Sequence, residues 1–166
     1  MLLIFGGLRM HVKSLQRYAE LHGRNDALFI PFKVKDIWFS PDFENVNAQI
    51  CNKKLTIHCL SGGPCNYSRM LVQYPNLRKN VQFEIFDNPT SFYGLYNRYK
   101  ILQGIPLSKN MQNEIDYIFK KPLTEAKKLI IVSSKDDISA GDAENLAAAM
   151  ECKKCMVQRC KTFAFY

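Results

Sequence analysis

The sequence predicts an α/β chain built on a doubly wound, mostly parallel sheet of about six strands. Three observations carry that prediction. Short apolar runs alternate with segments of helical periodicity from one end of the chain to the other. The runs close on Gly, Ser, Asp or Pro, the residues that turn a strand into a loop or a helix start. At 47% apolar and 23% charged over 166 residues, the composition suits a globular core. One domain, 1–166, is expected at this length. Collagen-like, low-complexity and wholly disordered classes are excluded.

The elements follow in order. Leu2 to Phe5 is a short strand closed by Gly6-Gly7. Val12, Leu15, Ala19 and His22 share a helical face, and Gly23-Arg24-Asn25 breaks that helix. Ala27 to Phe32 is a second strand. Ser40-Pro41-Asp42 marks a turn before a short helix from Phe43 to Cys51. Leu55 to Leu60 is a third strand running into Ser61-Gly62-Gly63, and Pro64 suits the first turn of the next helix. Val81, Phe83 and Ile85 alternate with Gln82, Glu84 and Phe86 in a fourth strand that ends at Asp87-Asn88-Pro89. The aromatic-rich residues 90–121 are a candidate cap or lid, with Met111, Ile115, Ile118 and Phe119 as a helical stripe. Leu129 to Val132 is a buried strand. Ser139 with Asp142 reads as a partial capping box for a helix through Met150. Met156 to Phe163 is the last strand candidate.

The net charge of +8 favours an acidic partner, either an acidic protein or an anionic membrane surface. The cations come as scattered pairs without a basic arm, so no nucleic-acid partner is expected. No apolar run reaches the ~18 residues of a membrane span, and the start lacks a signal peptide's basic region. An intracellular, cytoplasmic location follows, with Cys51, Cys59, Cys65, Cys152, Cys155 and Cys160 as free thiols. Cys152-x-x-Cys155 has no second pair and no nearby His, so no metal and no cofactor are expected.

Ligand sites of open α/β sheets lie at the carboxyl ends of the strands. Cys59-x-Ser61-x-Gly63 matches the G-x-S-x-G nucleophile elbow with Cys59 in place of the first Gly. The same residues also suit an ordinary Gly-rich turn with an incidental Ser. An acyl-transfer site on Ser61 would draw oxyanion donors from the Gly62 N–H and from an N–H at Gly7 or Leu8. An orienting carboxylate is expected next: Asp136 first, with Asp137 and Asp87 as alternatives. Asp137 could equally cap the helix that follows. A base should come after the last strand, yet only His11, His22 and His58 exist. His11, close to the Gly6-Gly7 loop, is the alternative base. His58 points away from the turn into the core, and His22 suits the negative end of its helix.

Phe5-Gly6-Gly7 with Leu15-x-x-Tyr18, Ile57 to Gly63, Ile85 to Pro89 and Ser133-x-x-Asp136-x-Ile138 together resemble the eukaryotic transmembrane protein 53 family. The resemblance implies an α/β-hydrolase-like fold, with Ser61 at the family's serine and Asp136 at its acid. It also implies association with the nuclear envelope, while a small acyl substrate is what the Ser61 site itself would take. In that family the last strand leads into a Ser-x-His segment, and Cys160 to Tyr166 is similar to the approach to it. On this reading the chain lacks the leading strands, the final helix and the catalytic His of a fold that commonly exceeds ~200 residues. It is then the middle of a larger hydrolase-like domain, a serine hydrolase scaffold with an incomplete triad. The alternative is a non-catalytic interaction protein on the same fold.

Overall fold

The computed structural model describes residues 1–8, 10–98, 117–133, 137–150 and 156–160. The elements are β1 (Leu2–Leu8), α1 (Val12–Leu21), β2 (Ala27–Phe32), α2 (Glu44–Ile50), β3 (Leu55–Leu60), α3 (Gly63–Gln73), β4 (Val81–Asp87), α4 (Phe92–Arg98), β5 (Lys127–Ser133), α5 (Asp137–Ala149) and β6 (Met156–Cys160). Short 3₁₀ turns occupy Val34–Ile37, Pro75–Asn80 and Tyr117–Phe119. The described strands form one six-stranded sheet in the order β2-β1-β3-β4-β5-β6. Every neighbouring pair is parallel. Chain order reverses direction at β1, which lies between β2 and β3, so ligand chemistry is expected beside the ends of β1 and β3.

Both faces are covered, and the strand sequences show why. On β1, Leu2 and Ile4 pack with Leu15 and Ala19 of α1, while Leu3 and Phe5 join Tyr67, Met70 and Leu71 of α3. A strand buried on both faces needs no polar alternation. Glu84 of β4 accordingly lies inside. Glu84 is 1% exposed and accepts hydrogen bonds from the Tyr67 and Thr124 hydroxyls. Lys128 Nζ stands 3.4 Å from its other oxygen and donates to the carbonyls of Thr124 and Ala126 at 2.8 Å.

Pro31 sits inside β2, which the sheet order puts at an edge, where a missing N–H is tolerated. The strand Leu2–Phe5 extends to Leu8, because Gly6-Gly7 is a bulge within it rather than its end: the β1–β2 register shifts between Phe5 and Leu8. The capping box at Ser139 does not form. α5 starts at Asp137, so Ser139 lies inside it, and the Asp142 carboxylate instead accepts from the Ser91 N–H at 2.8 Å and the Ser91 hydroxyl at 2.9 Å. Most of the candidate cap, including Met111 and Ile115, lies outside the described residues, as do Cys152 and Cys155. Among the described residues no helix is long and apolar enough to cross a membrane. None of their His, Cys, Asp and Glu side chains form a group of three or more suited to a metal ion.

Candidate active site

The carboxyl ends of β1, β3 and β4 converge on Ser61. This residue has φ 50°, one of two non-glycine residues in the left-handed region among those described. An L side chain there costs roughly 1 kcal/mol, so the conformation persists because neighbours enforce it. The Ser61 N–H donates to the Asp87 carbonyl at 2.9 Å, and the Ser61 carbonyl accepts from the Thr90 N–H at 2.9 Å. Held this way, the chain turns sharply from β3 into α3, and Ser61 stays half-buried at the corner.

The small residues around the corner have steric reasons. A Cβ on Gly63 would meet the Phe5 carbonyl oxygen at 2.4 Å, so α3 can rest on β1 only with hydrogen there. A Cβ on Gly62 would fall 2.7 Å from Leu95 Cδ1. On the β1 side, a Cβ on Gly7 would fall 2.8 Å from Ser61 Cβ, so the Gly6-Gly7 bulge brings bare backbone against Ser61. The Gly7 N–H donates to Met10 Sδ at 3.1 Å, a weak acceptor. Leu8 stays in register with Phe32 of β2. Cys59 has no accessible surface, and burial, then Glu84, pushes its thiol well above the usual range, so it is not a rival nucleophile.

Asp87 ends β4 directly beside the Ser61 turn. Burial pushes its carboxyl up to about 6, and Asn88 Nδ2 donates to Oδ1 at 3.0 Å. Asn88, the second left-handed residue at φ 46°, links onward: its N–H donates to the Ile131 carbonyl at 2.8 Å, and its Oδ1 accepts from the Ser133 N–H at 2.6 Å. Three strand ends are thereby stitched together. Asp136 lies outside the described residues. Asp137 is the first residue of α5.

His11 is the exposed residue preceding α1, and its side chain makes no capping bond. His22 Nε2 and His58 Nδ1 share a hydrogen bond of 2.9 Å, and both Tyr18 and His22 meet the His58 ring edge-on. None of the three hydrogen-bonds Ser61. His22 turns its Nε2 to His58, and burial and then Arg24 lower its pKa. This pair and the Met10 contact escaped sequence reading. One joins residues 36 apart, and a thioether acceptor has no sequence signature.

The two buried groups beside this site give opposite pH dependences. Burial, then His22, lowers His58 from 6.5 to about 3, so between those values the unfolded chain binds a proton that the folded chain does not. Stability is therefore lost as pH falls through that window. Asp87 rises from 3.8 to about 6, so the folded chain takes up its proton first and gains stability over the fall from 6 to 3.8. In their shared window the two slopes oppose each other. We predict that His58→Leu makes urea resistance rise on acidification there, and that Asp87→Asn steepens its fall. Parallel wild-type slopes in both variants would contradict this.

No protein-family model matches this chain, and no curated protein does. Solved structures do, and they define the class: the chain has the α/β-hydrolase fold. It is similar to MGS-M2, an α/β hydrolase enzyme from a Medee basin deep-sea metagenome library, with TM-score 0.56 and 13% identity over 95% of this chain and 80% of that one. A ferulic acid esterase matches with TM-score 0.54 and 11% identity over 96% of this chain and 77% of that one. A Pyrobaculum calidifontis esterase matches with TM-score 0.54 and 13% identity over 96% and 66% of the respective chains.

Proposed function

We propose that the Ser61 corner is an acyl-hydrolase site, with Ser61 as nucleophile toward an ester or related small acyl group. One observation carries the reading. Ser61 is held in a left-handed turn between a parallel strand and a helix, with bare glycine backbone on either side. Attack by the hydroxyl, its proton passing to solvent water, forms a bond to the acyl carbon as the carbonyl π pair moves to the oxygen, whose charge is met by the Gly62 N–H and an N–H at Gly7 or Leu8. Collapse expels the protonated alcohol, and water then hydrolyses the acyl-serine to the acid. An oxyanion bound at Gly7 displaces the Met10 thioether. Asp87 at the next strand end, or Asp136 as the family resemblance suggests, would orient a base.

No base is hydrogen-bonded to Ser61 among the described residues. A serine hydroxyl without one is a weak nucleophile, and the chain's three histidines make no bond to Ser61. These residues are therefore expected to turn over acyl substrates slowly, and kinship with the transmembrane protein 53 family rests on the sequence motifs alone. A Ser61 with no base bonded to it also suits a second reading, a binding protein on a hydrolase scaffold. A fluorophosphonate probe distinguishes them. Slow labelling abolished in Ser61→Ala supports the assignment. Labelling at the rate of a working serine hydrolase contradicts the lack of a base, and labelling that survives Ser61→Ala removes Ser61 from the role.

A further inference from the structure

The end of the sheet opposite Ser61, the edge formed by the starts of the strands, carries a second feature. There β4 and β5 begin, and a hollow of about 470 Å³ opens between them, lined by Arg78, Lys79, Lys127, Thr124, Gln82 and Glu125 among others. Lys79 and Lys127 are exposed, and neither makes an ion pair among the described residues. Arg78 commits its Nε to the Leu71 carbonyl at 3.2 Å, which fixes the guanidinium stem. The pair Lys53-Lys54 precedes β3 on the same edge. Leu55 is in register with Val81, and Asn80 Nδ2 donates to the Cys51 carbonyl at 2.6 Å, so the two loops are joined.

Acids do not balance these charges. Asp26 on this edge is engaged by Arg24 and the Met1 ammonium, and Glu84 is paired inside with Lys128. Glu125 alone accompanies the three cations of the hollow. Helix ends do not explain the cluster either. Arg78 and Lys79 lie in the 3₁₀ turn Pro75–Asn80, beyond the last residue of α3, Gln73, and a helix-end charge is felt only within the final turn.

We infer that this hollow binds a phosphate-bearing group, a phosphomonoester or diphosphate. Its concave form takes a small ligand rather than a duplex. Two lysines and an arginine line it, a charge set that suits a multiply charged anion through charge-assisted hydrogen bonds. The site stands on the far edge of the sheet from Ser61 and does not rest on the hydrolase reading.

The test titrates inorganic pyrophosphate at fixed ionic strength into the wild-type chain, Lys79→Ala/Lys127→Ala, Ser61→Ala, and the control Lys13→Ala/Lys35→Ala. The control pair is also exposed but lies away from the hollow. Loss of two charge-assisted contacts should weaken binding at least about tenfold in the first variant. Binding should be unchanged in Ser61→Ala and in the control pair. A parallel arm uses phosphatidylcholine vesicles with or without phosphatidic acid. Capture that needs phosphatidic acid and is competed by pyrophosphate assigns a lipid headgroup. Pyrophosphate binding without capture assigns a free phosphate compound. Equal losses in both lysine pairs, tighter binding of a random DNA oligonucleotide than of pyrophosphate, or no saturable binding in either arm would overturn the site. Retained thermal melting of each variant separates these outcomes from misfolding.

Discussion

Gly63→Ala is expected to destabilise the fold by about 3 kcal/mol, the upper range for forcing a methyl group into a filled site. The added Cβ would stand 2.4 Å from the Phe5 carbonyl oxygen and 3.0 Å from its carbon. Those are backbone atoms of β1, which is locked between β2 and β3 and cannot retreat without disturbing two ladders. The alternative is for α3 to lift, which would open Tyr67, Met70 and Leu71 of the main core. Gly141→Ala is the matched control. It lies exposed within α5, and its Cβ would meet nothing within 4 Å. That exchange should stabilise by roughly 0.5–1 kcal/mol. Urea unfolding midpoints measure both. If Gly63→Ala left the midpoint where Gly141→Ala leaves it, the tight α3–β1 approach would be disproved.

Lys128→Met is expected to cost about 3 kcal/mol, the lower end for breaking a buried ion pair. The two side chains are 6% and 1% exposed, and the loss comes from stranding Glu84 without a counter-charge. The Tyr67 and Thr124 hydroxyls still donate to the carboxylate, but burial already pushes its pKa up. Adding Glu84→Gln removes the stranded charge and should recover most of the loss. The single variant should also regain stability as the pH is lowered and Glu84 takes up a proton. A double variant as unstable as Lys128→Met alone would show that the lysine acts by packing and not by charge.

Much of this fold could be read from the sequence. Ala27–Phe32 and Leu55–Leu60 are apolar runs with sharp flanks, and they form β2 and β3 with those bounds. Reading failed where a local pattern has two physical causes. Gly6-Gly7 reads as a strand end and is a bulge, because glycine permits both. Asp142 fits a local cap by spacing, yet it serves Ser91, 51 residues away. The Ser61 turn was legible because its geometry demands small residues at fixed offsets. The His22–His58 bond was not, because no pattern along the chain encodes a contact across helix and sheet.

The strand order has a consequence for how the chain acquires its shape during synthesis. The sheet grows outward from β1: β2 adds on one side, then β3, β4, β5 and β6 add in sequence on the other. Each arriving strand docks on an edge already in place, so no strand must insert between two paired ones. Assembly can therefore proceed as the ribosome delivers the polypeptide. The Ser61 corner closes only after Asp87 and Thr90 emerge to hold its backbone. Chains arrested between Leu60 and Asp87 would carry a nascent sheet with a slack turn, and a pulse of protease during translation should find that turn cleavable until β4 is complete.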